Sequence, residues 1–269
     1  LDFWGFLGSL ILGGIILGIY TGLLGYVGAK TGLSLDLLSQ RAFGEKGSYL
    51  PSAMTSFTQI GWFGVGSFVS GGTATPNFAR FAKNGKSGAI TTVVAFFIGN
   101  SLMFFFGAVS SIFVGGNDIF EVMVRLNLFY LAVLVLGLNI WTTNDNALYT
   151  AGLGLANIFH QRKKPMVLLS GIIGTVASVW LYYNFCGWLN ILNCTLPPVG
   201  MILVLAYFMN KEDFETDQPK LKTIDWFAVA GVILGAIVAN LLHWGIASIN
   251  GMVVAAVCYC VGQAVNKRK

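Results

Sequence analysis

The sequence predicts an all-α polytopic membrane protein, and three observations carry that prediction. Only 10% of its 269 residues are charged, whereas a soluble domain is nearer a quarter charged. Hydrophobic residues make up 55% of the chain, and its mean hydropathy is +0.73. The apolar residues are gathered into eight segments, most of them near the ~20 residues that cross ~30 Å of hydrocarbon. In lipid every backbone polar group needs an internal partner, so runs of this length are expected to be helices.

Taken in order, residues 3–28 hold no charged side chain and read as a complete crossing. A basic loop with Lys30, Arg41 and Lys46 follows. Residues 50–74 form the second apolar segment, and Gly61, Gly64, Gly66, Gly71 and Gly72 would permit a break or a re-entrant hairpin there. Residues 89–114 come next, between a loop with Arg80, Lys83 and Lys86 and one with Asp118, Glu121 and Arg125. The run from 126 to 159 is the longest and carries a polar block at its centre. Residues 166–183 lie between Arg162-Lys163-Lys164 and an uncharged turn at 184–187. Residues 188–209 contain Pro197-Pro198, which removes backbone donors and is expected to break the helix. The stretch 211–225, rich in both signs, is expected to be a solvated loop. Residues 224–242 and 249–264 complete the set, the last being short enough to suggest oblique or partial insertion. The 34 glycines suit close helix contacts and helix breaks, both tolerated in membrane bundles.

The net charge of +5 does not imply nucleic-acid binding, because Lys and Arg sit in short loops and at the C-terminus without an aromatic stripe. Counted loop by loop from residue 80, basic residues alternate between rich and poor. That alternation predicts a cytoplasmic C-terminus in a bacterial inner membrane. The first loop breaks the pattern: both ends of segment 50–74 come out on the same side. The four cysteines are expected to be core thiols, and His160 and His243 show no metal spacing. An enzyme is not expected, since no nucleophile–base pair or paired acids are visible. No cofactor and no obligate protein partner are expected; the partners are the bilayer, a small solute and a coupling ion.

The polar block reads Asn139-Ile-Trp-Thr142-Thr143-Asn144-Asp145-Asn146. On a helix, Asn139, Thr142, Thr143 and Asn146 share one face. They present hydroxyl and carbonyl oxygens at mid-depth, which suits a hard monovalent cation. Alternatively, such threonines bond back to the preceding turn. Asp145 is the one acidic or basic side chain deep in an apolar run; burying it costs roughly 2.5–3.5 kcal/mol. It stands beside Thr142 rather than among the four oxygens. A supporting role is expected for it, with proton coupling or a structurally paired acid as the alternatives.

The strings Thr58-Gln-Ile-Gly-Trp-Phe-Gly-Val-Gly66 and Gly137-Leu-Asn-Ile-Trp-Thr-Thr-Asn-Asp-Asn-Ala-Leu-Tyr149 resemble the cytosine permease branch of the nucleobase–cation symporter family. So do Gly99-Asn-Ser-Leu-Met-Phe104 and Gly171-Ile-Ile-Gly-Thr175. The resemblance implies a LeuT-like bundle of twelve helices, built from two inverted repeats, with substrate and ion held at the midplane. Against that pattern the first, broken helix is missing before Leu1. The text also jumps between Gly66 and Ser67, from the third helix to the sixth, which would explain the broken parity. About eight or nine of the twelve helices are then represented, in one transmembrane domain spanning residues 1–269.

The same resemblance implies sodium-coupled import of cytosine by alternating access. Sodium would be held by the Asn139 backbone carbonyl and the Thr142 and Thr143 hydroxyls, with Asp145 and Asn146 in support. Cytosine would lie between Trp62 and Phe68, read by Gln59 and Asn139, with Ser67 and Ser70 assisting. Gln59 and Trp62, three apart, place an amide and an indole on one helix face. For any one of these aromatics, packing against lipid is the alternative. A proton-coupled permease, or one for another nucleobase, a hydantoin or a vitamin, is the nearest rival.

Overall fold

Among the described residues, each predicted apolar segment is helical over most of its length in the computed structural model. It describes residues 3–65, 74–115, 119–219, 221–242 and 244–266, apart from the side chains of residues 3, 62–65 and 182. The helices are α1 (Phe3–Thr31), α2 (Leu35–Phe43), α3 (Tyr49–Val65), α4 (Pro76–Ala79), α5 (Gly85–Val93) and α6 (Asn100–Val114). They continue with α7 (Ile119–Arg125), α8 (Phe129–Phe159), α9 (Lys163–Tyr183), α10 (Phe185–Met209), α11 (Lys211–Glu215), α12 (Trp226–Leu241) and α13 (Ala247–Asn266). A π-helical turn, Val94–Gly99, joins α5 to α6 without a break. Among the described residues there is no β-strand.

Among the described residues five helices, counting Gly85–Val114 as one, are long and apolar enough to cross a membrane. Their outer faces are strongly apolar and exposed, with Ile112, Phe113, Val176 and Trp180 each more than half accessible, as is Tyr130 on α8. A soluble protein does not expose apolar surface on that scale. The chain is a polytopic α-helical membrane protein.

Small residues set the helix contacts. Gly25 on α1 faces Gly88 and Thr92 on α5, where an added Cβ would lie 3.1 Å from the Gly88 carbonyl. Gly235 and Gly251 bring α12 and α13 together around Pro198. The main core joins α1, α2, α10, α11, α12 and α13 through Leu24, Leu38, Phe43, Ile202, Tyr207 and Tyr259. A smaller core around Trp188, Leu192 and Leu196 joins α10 to Ala147 of α8 and Leu181 of α9.

Three expectations need correction. Pro197 and Pro198 do not break α10, which runs unbroken through them. Pro197 deprives the Asn193 carbonyl of its helical donor, and the Ser248 hydroxyl of α13 donates to that carbonyl at 3.3 Å. A neighbouring helix thus re-satisfies the freed group, as membrane helices allow. The segment 211–225 is mostly exposed, as expected, but it opens with the short helix α11 and is anchored at a few points. Asp225 N–H donates to the Phe43 carbonyl at 2.6 Å, Glu45 N–H to Lys222 at 2.7 Å, and Phe214 is fully buried. The last helix is not short: α13 has 20 residues, about 30 Å at 1.5 Å per residue.

The loops sort by charge between the two ends of the bundle. At one end Lys30 approaches Glu215 at 3.9 Å, Arg41 donates to the Asp213 carbonyl at 2.7 Å, and Tyr49 bonds His160 at 2.7 Å. The Leu35 N–H donates to Asn77 at 2.8 Å, so the start of α2 and the residues just beyond segment 50–74 meet. Both ends of that segment therefore lie on one side, as the charge pattern requires. The proposed join between Gly66 and Ser67 lies outside the described residues.

Candidate functional site

Helix α3 places Gln59, and its own threonines keep that amide available. The Thr58 and Thr55 hydroxyls bond back to the Met54 and Pro51 carbonyls, so neither competes for the Gln59 side chain. Ser56 donates to the Ala151 carbonyl of α8 at 3.1 Å. Gly154 lets the two helices approach, since a Cβ there would stand 2.8 Å from the Ser52 carbonyl.

A polar node at the basic end fixes the same pair of helices. Ser52 of α3 donates to the Asp36 carboxylate of α2 at 2.6 Å. The Asn157 amide of α8 donates to Ser48 at 3.0 Å and to Ser52 at 2.9 Å, and it accepts from Gln40 at 2.6 Å. Burial raises the Asp36 carboxyl to about 6; the Ser52 hydrogen bond and the Arg80 charge oppose that rise without cancelling it. Desolvation wins because it penalises the charged form directly. Arg80 in turn donates to Tyr149 of α8, whose ring carries Lys163 Nζ at 3.5 Å from its centroid.

Between α3, α4, α5 and α8 lies a cavity of about 710 Å³, within the ~300–1,000 Å³ usual for small-molecule sites. Its polar lining comprises the amides of Gln59, Asn100 and Asn146 with the hydroxyls of Ser87, Thr91, Thr92, Thr143, Thr150 and Thr75. Phe78, Phe81 and Phe96 supply aromatic walls, and among the described residues no acidic or basic side chain lines it. Such a space matches an uncharged, flat solute whose edge both donates and accepts. A charged solute would be stripped of water there without a counter-charge.

Of the residues singled out in the sequence, Gln59, Thr143 and Asn146 come together in this cavity. Thr142 is exposed, and its hydroxyl donates within the helix to Leu138 at 3.2 Å and Asn139 at 3.0 Å. Asn139 and Asp145 are exposed on α8 and do not line the cavity. The Trp62 side chain, Ser67, Phe68 and Ser70 lie outside the described residues. Sequence reasoning missed Asn100, Thr150 and the Asp36 node. Thr150 was within reach, because it continues the spacing of Thr143 and Asn146 along α8. Asp36 sits outside every apolar run and gave no such signal. Among the described residues no group of three or more His, Cys, Asp or Glu side chains is placed to hold a metal ion.

Comparison with known proteins locates the fold's relatives. A family model described as a permease for cytosine/purines, uracil, thiamine and allantoin matches in two stretches, residues 1–75 and 65–264. The cytosine permeases of Escherichia coli K12, O6:H1 and O157:H7 are each 35% identical over 362 aligned residues. The alignment covers 100% of this chain and 86% of each relative.

Proposed function

Because the chain belongs to the family of permeases for cytosine/purines, uracil, thiamine and allantoin, we propose that it imports cytosine across the cytoplasmic membrane in symport with sodium, by alternating access. That it is a nucleobase transporter follows from the family; the choice of base and of ion is the proposal. The observation that carries it is the cavity itself: amides and aromatic rings with no charge among the described lining residues. Cytosine is neutral and planar, and its edge presents donors and acceptors side by side, as an amide does.

In this reading Gln59 reads the base edge from the cavity wall. Asn139, exposed beside the cavity in this structure, joins it when α8 turns inward. Trp62 and Phe68 stack on the base's faces, and Ser67 and Ser70 assist from the neighbouring backbone. Sodium takes the Asn139 carbonyl and the Thr142 and Thr143 hydroxyls, with Asp145 and Asn146 shaping the site. The bond from Thr142 back to its helix does not compete with this role. A hydroxyl that donates its proton to a carbonyl still has lone pairs to offer a cation. Ion binding would draw α8 toward its partners and favour the state that accepts the base.

The chain also joins the family's third helix to its sixth at Gly66–Ser67, in a LeuT-like pattern. Supporting this are the two matched stretches of the family model, which meet at 65–75, and an alignment longer than the chain's 269 residues. Peptide mapping across the join tests it: a proteolytic peptide that reads continuously from Gly66 into Ser67 means a true deletion, and peptides from between them mean intervening helices. The transport reading is tested in proteoliposomes with labelled cytosine, with and without an inward sodium gradient. Accumulation that requires sodium is expected. Uptake indifferent to sodium but driven by a proton gradient would replace sodium with protons, and no uptake of any nucleobase would end the reading.

A further inference from the structure

The π-helical turn at Val94–Gly99 has a consequence for the cavity, because a turn closed by i→i+5 bonds holds about one residue more than an α-turn. One extra residue shifts everything downstream by ~100° around the helix axis. Upstream, Gly88, Thr92 and Ala95 face the cavity at α-helical spacing. The lining stripe also holds Ser87, Thr91 and Phe96; continued without interruption, it would put Gly99 near its centre and leave Asn100 at its edge, one turn beyond Phe96. In the structure Asn100 lines the cavity and Gly99 does not. The turn exchanges a residue with no side chain for an amide.

Asn100 is also a shared wall. It lines, with Phe96, a second cavity of about 340 Å³ between α1 and α6 that includes Ser9 and Gly13. Its side chain makes no hydrogen bond to a described residue, and it is only partly exposed. A half-buried amide in a membrane span that is aimed into a cavity and left without a protein partner is matched to a solute.

Resting on the nucleobase-transport reading, we infer that Asn100 is a substrate-contacting, specificity-determining residue, turned into the cavity by the π-helical turn to read the polar edge of the base. Gln59 reads from α3, and Asn100 reads from the α5–α6 span. Together they require both a donor and an acceptor from the solute.

The test is competition of labelled cytosine uptake by unlabelled cytosine and uracil in proteoliposomes of the full chain, comparing Asn100→Ala, Asn100→Leu and the exchange Gly99→Asn/Asn100→Gly. Leucine keeps the volume without the amide, so it carries the test if the alanine variant fails to insert. Half-inhibition by cytosine should rise ten-fold or more, and the preference for cytosine over uracil should narrow several-fold. Sodium activation of the residual uptake should not move, whereas a merely structural role would weaken all ligands alike. The exchange variant should behave as the alanine variant does. Unchanged affinity and unchanged preference in Asn100→Leu, with Gln59→Ala abolishing uptake, overturns the assignment of Asn100 alone. Uptake insensitive to both Asn100→Leu and Gln59→Ala overturns the cavity as the transport site.

Discussion

Asp36 shows how one buried side chain makes stability depend on pH. Its ordinary value is 3.8, and burial lifts it to about 6, so the folded protein holds this proton more tightly than the unfolded chain does. The resulting stabilisation is complete below pH 3.8 and is lost as the pH rises through about 6. At one pKa unit per ~1.4 kcal/mol the loss is on the order of 2–3 kcal/mol. Asp36→Asn keeps an acceptor for Ser52 and cannot ionise. Thermal unfolding in detergent should therefore show the wild type losing stability between about pH 4 and about pH 6.5 and levelling off above that, while the variant stays flat; parallel curves would remove Asp36 from the account. Thr142 and Thr143 allow a sharper test of the ion reading. Replacing either by valine keeps the shape and removes one oxygen, at roughly 1–2 kcal/mol for a lost polar contact. The sodium concentration for half-maximal uptake should then rise about ten-fold, and a variant with unaltered sodium activation would not be a ligand position.

At the scale of elements, the apolar runs could be read almost to their ends because lipid leaves a helix so few alternatives. Segment 166–183 became Lys163–Tyr183, and 188–209 became Phe185–Met209. What the sequence hid was anything settled by a neighbour. Pro197 read as a break because its own helix cannot satisfy the Asn193 carbonyl; the donor comes from Ser248, 55 positions away. The π-helical turn was hidden for the same reason, since residues 94–99 are plain apolar sequence and only register against α1 and the cavity distinguishes them. The proline case can be measured by a double-mutant cycle. Ser248→Ala should cost about 1 kcal/mol in the wild type, by leaving a carbonyl unpaired. With Pro197→Ala it should cost little, because alanine restores the helical N–H. Equal costs in both backgrounds would mean that Ser248 acts through its other contact, the Asn193 side chain.

For the whole molecule, two independent patterns lead to one topology. Lys and Arg alternate between loops, and the structure gathers the rich loops at one end through the contacts of Arg41, Glu45, Tyr49 and Asn77. The site was only partly legible because its walls come from α3, α4, α5 and α8 at once. Spacing along one helix found Thr143 and Asn146, yet it could not find Asn100, which lies on another span beyond the π-helical turn. If the rich end is cytoplasmic, the uncharged turn between α9 and α10 faces outward, and the chain carries a native reporter there. Cys186 is exposed just after that turn, while Cys194 is buried and Cys258 and Cys260 lie within the span of α13. A membrane-impermeant maleimide added to intact spheroplasts should label the protein once, and Cys186→Ser should abolish the label. Labelling that appears only after the membrane is opened would invert the topology, move the basic loops outside, and reverse the direction in which the cavity must open to import its solute.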